Sequence, residues 1–198
     1  SLVKNPEDYQ GMWKEDFFKN QKDLHLEIGT GKGTFINSLA EKNPDINYLA
    51  LEKTEDIFLK AIEKNMANPK ENIAFLWLDV RDLLTYFGPA ELDRLYINFC
   101  DPWPKKRHAR RRLTHKDFLK TYRKLLAEDG EIHFKTDNEA LFEFSLNEFL
   151  DEGWKLKNVS LNLYRNLPED NVATEYEAKF KNLGNPIFRL EAFWPKNN

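Results

Sequence analysis

The segment from Leu24 to Ala40 leaves few folds open. Leu24-His25-Leu26-Glu27-Ile28 reads as a strand, Gly29-Thr30-Gly31-Lys32-Gly33 as a glycine turn, and Phe35, Ile36, Leu39 and Ala40 as the buried stripe of a helix. Strand, glycine turn and helix in that order begin a doubly wound sheet. The glycines let backbone approach a ligand closely, and a helix N-terminus offers free N–H groups. A strict dinucleotide fingerprint places a glycine three residues after Gly31, but Thr34 stands there and Gly33 comes early. Glu27, just ahead of the turn, would repel a pyrophosphate and attract an ammonium or sulfonium group. The pattern therefore suits a cationic, phosphate-free cofactor, with a glycine-rich structural turn as the alternative.

The same alternation continues downstream. A strand over Ile46 to Leu51 ends at Glu52, close to the ~20-residue gap after Gly31 expected of an acid that grips ribose hydroxyls. A helix from Thr54 to about Ala67 buries Ile57, Phe58, Ala61 and Ile62. The strand Ile73 to Leu78 ends at Asp79, which either lies beside an adenine ring, with Val80 packing on it, or caps a short helix starting near Arg81. The spacing then predicts a helix capped by Thr114 and ended by Gly130, a strand over Glu131 to Thr136 closed by Asp137, and a helix from about Leu141 to Gly153. Trp154 to Tyr164 alternates as a strand, and Arg165 to Val172 reads as a loop. Thr174 and Glu177 form a capping box for a helix ending at Gly184, and Pro186 to Trp194 reads as a last strand. Upstream, Tyr9, Trp13, Phe17 and Phe18 recur at helical spacing, with Asn5 as cap and Pro6 in the first turn. Residues 1–20 are thus expected to be a helical extension packed on a single domain spanning 1–198. In a parallel sheet Glu27, Glu52, Asp79, Asp101 and Asp137 share one edge, the edge where open α/β sheets bind ligands.

Leu92 to Arg112 carries the densest chemistry. A strand, Leu95-Tyr96-Ile97-Asn98-Phe99, runs to Asp101 and stops at Pro102-Trp103-Pro104, because proline donates no ladder hydrogen bond. Lys105, Lys106, Arg107, His108, Arg110, Arg111 and Arg112 follow, so residues 104–113 read as a basic loop that holds a polyanion. The whole chain carries a net charge of −3, which confines any nucleic-acid footprint to such a local patch. Cys100 is the single cysteine, so no internal disulfide forms and the compartment is expected to be reducing. No apolar run is long enough to span a bilayer, and no signal-peptide core is visible. The expected localisation is cytoplasmic.

Taken together, these segments resemble a known family. Glu27-Ile28-Gly29-Thr30-Gly31-Lys32-Gly33 is similar to the cofactor loop of class I S-adenosylmethionine-dependent methyltransferases. Asp101-Pro102-Trp103-Pro104-Lys105-Lys106-Arg107-His108, Arg110-Arg111-Arg112, Lys135-Thr136-Asp137-Asn138 and Thr174-Glu175-Tyr176-Glu177 together resemble the bacterial tRNA (guanine-N7)-methyltransferases. The resemblance implies a Rossmann-like, mostly parallel seven-stranded sheet with the last strand antiparallel and helices on both faces. It implies S-adenosylmethionine as cofactor, held by Glu27, Gly29, Gly31, Gly33, Glu52, Asp79 and Asp101, with Asp101 catalytic. Lys105, Asp137, Thr174, Glu175, Tyr176 and Glu177 would meet the substrate, and Arg107, His108, Arg110, Arg111 and Arg112 the RNA. The partner would be tRNA, with no metal and no membrane; monomer and homodimer both stay open. Family members usually start with a further basic segment, which this sequence does not carry.

The residues alone make sense of that chemistry. Guanine N7 has a free lone pair and needs no general base, so a carboxylate such as Asp101 acts on charge and geometry. Asp137 and Glu177 could accept from the N–H groups of the guanine edge, and Trp103 or Tyr176 could stack on a base lifted out of the RNA. An adenine-N6 methyltransferase would carry acid or amide, then two prolines, then an aromatic; Trp103 precedes the second proline here. Thr34 disfavours a nicotinamide-dependent oxidoreductase, and a cleft of acids disfavours a non-catalytic RNA-binding domain. Cys100 reads as a small core residue on the opposite side of its strand from Asp101. His25 and His133 read as packed within strands, and His115 as a surface residue at a helix start.

Overall fold

The computed structural model describes residues 1–195. Seven strands, β1 Asp23–Ile28, β2 Ile46–Glu52, β3 Ile73–Trp77, β4 Leu92–Asn98, β5 Leu126–Thr136, β6 Lys155–Ser160 and β7 Phe188–Phe193, form one sheet in the order β3-β2-β1-β4-β5-β7-β6. The pairs β1·β2, β1·β4, β2·β3 and β4·β5 are parallel, and β7 runs antiparallel to both β5 and β6. The expected seven-stranded sheet with an antiparallel last strand is what forms. Chain order reverses between β1 and β4, and a crevice opens at such a switch point.

Helices cover both faces because the sheet presents apolar residues on each. On one face Tyr48, Ala50, Ile73, Phe75 and Tyr96 meet Phe35, Ile36, Leu39 and Ala40 of α1 (Thr34–Lys42) and Phe58 and Ala61 of α2 (Glu55–Ala67). On the other, Leu24, Leu26, Leu49, Leu95, Ile97, Ile132 and Phe134 meet α3 (Leu83–Tyr86), α4 (Lys116–Leu125) and α5 (Glu139–Asp151). The last helix, α6 (Glu175–Leu183), starts at the Thr174–Glu177 capping box and ends at Gly184, which takes the left-handed φ of +71°.

Three local expectations need correction. Residues 1–20 do not form one helix. A 3-10 turn at Pro6–Tyr9 and a π turn at Trp13–Phe17 are separated by Gly11 at φ +78°, and Asn5 makes no side-chain cap bond. The segment is held instead by Glu91, whose carboxylate accepts from the N–H groups of Gly11, Trp13 and Gly88 at 2.9, 2.9 and 2.7 Å. Thr114 does not cap α4. It is buried and bonds Ser145 on α5 at 2.7 Å, while buried His115 caps the helix by accepting from Asp117 N–H. Nor does Gly130 end α4: the helix stops at Leu125, and Gly130 lies within β5 where that strand breaks register against β4, with a Cβ there 2.9 Å from the Ala127 carbonyl.

Candidate active site

A cleft of about 590 Å³ lies at the carboxyl ends of β1, β2 and β4, over the switch point. The glycine turn forms one wall. Gly29 and Thr30 donate their N–H groups to the Leu51 carbonyl, Gly31 to Glu52 Oε2 at 3.1 Å, and Gly33 to the Thr30 carbonyl. A phosphate cradle keeps such amides free; here they are committed within the protein. A Cβ added at Gly29 or Gly31 would meet nothing within 4 Å, so a ligand can approach the backbone there. Gly33 serves packing instead. A Cβ there would press on Ala61 at 3.2 Å, so the glycine lets α1 pack on α2.

The acids differ sharply in how they are held. Glu27 is buried; it accepts from Thr30 Oγ1 at 2.6 Å and Asn98 Nδ2 at 3.3 Å, and burial pushes its carboxyl up to about 7. Glu52 accepts from the N–H groups of Lys53 and Thr54 as well as Gly31, which ties the glycine turn to the end of β2. Asp79 accepts from Arg81 N–H at 2.9 Å and grips the Arg81 guanidinium with both oxygens; that pairing lowers its pKa. The capping role of Asp79 is thus present, while Asp79, Val80 and Arg81 all still line the cleft. Asp101 lines the cleft and is exposed, with no hydrogen bond or ion pair among the described residues. Cys100 packs against the core, as a small core residue should, while also lining the cleft, and burial pushes its thiol up to about 12. A protonated thiol is a poor nucleophile.

The basic segment forms a 3-10 helix over Lys106–Arg111, and its cations divide into groups. Arg112 turns inward: Nε and Nη2 donate to the Trp103 carbonyl at 3.2 and 3.0 Å, Nε also reaches the Pro102 carbonyl, and the guanidinium lies over Phe144 at 4.4 Å. It braces the Asp101–Pro104 turn. Arg110 and Arg111 line the cleft, with Arg111 over the Trp103 ring at 4.9 Å, and His108 meets that ring edge-on. Lys105, Lys106 and Arg107 point to solvent outside the cleft lining, as does Asp137.

Thr174, Glu175 and Tyr176 line the cleft from the side of α6. Glu175 bonds Thr34 and pairs with Lys64 at 3.1 Å and Lys32 at 3.9 Å, joining α6 to the glycine turn. Glu177 does not face the cleft. It is fully buried, accepting from Lys135 Nζ at 3.0 Å, Tyr164 OH at 3.0 Å, Asn171 Nδ2 at 2.9 Å and Thr174 N–H at 3.3 Å. Lys135 also reaches Asn171 Oδ1 and the Val172 carbonyl, and burial lowers its pKa. Sequence reasoning placed Lys135 in a family-like segment without a role and gave none to Asn98. The usable signal was a lysine at the inner end of a strand, next to Phe134 and Thr136; a lysine buried there has to find an acid.

Beyond the cleft, His25 is buried beside Tyr96, and burial lowers its pKa to about 3. Glu131, His133 and Glu191 bring possible ligand atoms within 4.8 Å of one another, yet Lys157 and Arg189 already bond the two carboxylates and Arg94 lies 3.9 Å from Glu131. Those cations make the group a charge network and a poor seat for a metal ion.

Sheet order, committed loop amides and a row of acids at the switch point define a class I S-adenosylmethionine-dependent methyltransferase. Solved structures share this fold: an antibiotic-related methyltransferase superposes with a TM-score of 0.67 at 16% identity, covering 97% of this chain and 94% of the other. The 16S rRNA methyltransferase KamB gives 0.64 at 16% identity, over 88% and 89%. Residues 21–190 match the Methyltransf_4 family model, described as "Putative methyltransferase". The tRNA (guanine-N(7)-)-methyltransferase of Clostridioides difficile (strain 630) is 57% identical over 92% of this chain and 85% of the relative, and that of Streptococcus sanguinis (strain SK36) 50% identical over 96% and 90%. The chain belongs to the family of bacterial tRNA (guanine-N7)-methyltransferases.

Proposed function

We propose that this chain transfers a methyl group from S-adenosylmethionine to N7 of a guanine in the variable loop of tRNA, in the cytoplasm. The observation that carries the reading is the convergence of Glu27, Glu52, Asp79 and Asp101 on one cleft whose rim holds Arg110 and Arg111. The donor set fits the cofactor: exposed Asp101 offers a carboxylate to a cation, buried Glu27 offers a second carboxyl whose ionised form a bound cation would favour, and no loop amide is reserved for phosphate. Bound there, S-adenosylmethionine supplies an electrophilic methyl group. Glu52 and Asp79 would hold its ribose and adenine ends, with Val80 against the ring.

Asp101 acts as the uncommitted carboxylate. Positive charge moves onto the purine as N7 is alkylated, and a fixed anion beside it is worth most in a cleft that excludes water. Glu177, closed off by Lys135, Tyr164 and Asn171, positions the substrate segment instead of meeting the base. Thr174, Glu175 and Tyr176 remain the substrate-facing members of that turn, and Lys105 and Asp137 would be reached only by parts of the tRNA outside the cleft.

The test is transfer from methyl-labelled S-adenosylmethionine to unmodified tRNA, with borohydride and aniline cleavage to locate 7-methylguanosine. Label with a cut in the variable loop is expected; label without a cut would move the target to another atom. Asp101→Ala should abolish transfer and leave tRNA binding largely intact. Lost binding with normal turnover at saturating tRNA would remove Asp101 from its role.

A further inference from the structure

Two aromatic residues flank Asp101 at equal distance in sequence, Phe99 and Trp103, and both line the cleft. Both hold left-handed backbone conformations, φ +52° and +44°, which strain a bulky side chain and persist only where the surroundings enforce them. At Phe99 the enforcement is visible. Its N–H donates to the Lys135 carbonyl at 2.9 Å, while Lys135 Nζ anchors Glu177 in the first turn of α6. One residue thus fixes Phe99 through its main chain and α6 through its side chain. The result is a wall of three near-parallel rings: Phe99 and Tyr176 at 5.9 Å and 17°, Phe99 and Phe180 at 6.3 Å and 18°, Tyr176 and Phe180 at 6.3 Å and 18°.

The two flanking aromatics are not equivalent. Trp103 already carries a cation, the Arg111 guanidinium at 4.9 Å. No cation lies over Phe99, Tyr176 or Phe180 among the described residues. A guanine being methylated at N7 becomes a cationic ring. Stacked on a surface that already holds a guanidinium, it would meet like charge; stacked on bare aromatic faces, it gains as its charge grows. We infer that the wall of Phe99 and Tyr176, and not Trp103, is the platform for the reacting purine, and that Phe99 is a catalytic residue which favours the transition state over the neutral base. This rests on the tRNA guanine-N7 reading.

The experiment is single-turnover transfer at saturating tRNA, with S-adenosylmethionine affinity measured separately by calorimetry. Phe99→Leu should slow the methyl-transfer step by roughly tenfold with cofactor affinity unchanged, and Phe99→Tyr should restore most of the rate. Tyr176→Leu, at a residue 58% exposed and so harmless to the core, should slow the step in the same way. A rate in Phe99→Leu and Tyr176→Leu equal to that of the unsubstituted chain overturns the inference, as does a parallel loss of cofactor affinity, which would place Phe99 against the cofactor. Absence of transfer to tRNA by the unsubstituted chain would overturn the functional reading and this inference together.

Discussion

At the scale of single residues the cleft sorts its acids by burial. Glu27 is raised from 4.5 to about 7, chiefly by burial. Between those values the folded chain holds a proton that the unfolded chain has lost, so stability should fall as pH rises from about 4.5 to 7 and level off above. Glu27→Gln removes the slope and should be the more stable form at pH 8, by on the order of 3 kcal/mol less whatever the altered bonds to Thr30 and Asn98 cost. Denaturant midpoints of both proteins at pH 5 and pH 8 measure this; parallel pH curves would mean that Glu27 is ionised throughout. Which positions carry acids was readable from the sequence, because strand-end carboxylates recur in register with the alternation of elements. How each is held was not. Glu177 and Asp101 look alike in a motif, but one is enclosed by Lys135, Tyr164 and Asn171, partners up to 42 positions away, and the other has none among the described residues.

At the scale of elements, the basic segment is two devices in one stretch of chain. Arg112→Ala should lower stability by about 2 kcal/mol, since it strips donors from the Pro102 and Trp103 carbonyls and a cation from the Phe144 face. Replacing Arg110 and Arg111 together should leave the thermal midpoint unchanged, weaken tRNA binding, and reduce its salt slope by about 1 for each phosphate no longer neutralised. The opposite assignment, an intact fold in Arg112→Ala with a flattened slope, would reverse the roles. A run of arginines in sequence carries no mark of which one turns inward; here a backbone turned by Pro102 and the left-handed Trp103 decides it. Strands were legible for the converse reason, that β2 and β3 are largely apolar on both sides, β1 carries Leu24, Leu26 and Ile28 on one side, and all three are bounded by turn residues. The start of β5 was hidden because Leu125 and Leu126 continue a helical stripe, and only pairing of Leu92 with Leu126 draws the chain into the sheet.

For the molecule as a whole, the sheet is closed by segments that sequence periodicity does not rank highly. Trp13 is fully buried and donates its indole N–H to the Tyr86 carbonyl at 2.8 Å, and Glu91 clamps the turn before it. Glu91→Ala leaves three N–H groups without their carboxylate and should cost about 3 kcal/mol. Limited proteolysis should then cut within residues 1–22 before the sheet is attacked; a first cut elsewhere would show that this segment is not what Glu91 secures. Further out, Leu2 bridges Phe75 in parallel, and Ser1 and Val3 exchange backbone bonds with Ile73 and Phe75 along the outer side of β3. At the opposite border, β6 breaks register between Lys157 and Ser160 and presents lysines at 155 and 157. One border is therefore guarded by charge and irregularity, and the other is covered by Ser1, Leu2 and Val3. Strip those three away, and β3 offers its open amides and carbonyls to any passing strand, so a clipped preparation should gather into oligomers edge to edge while the full chain stays dispersed.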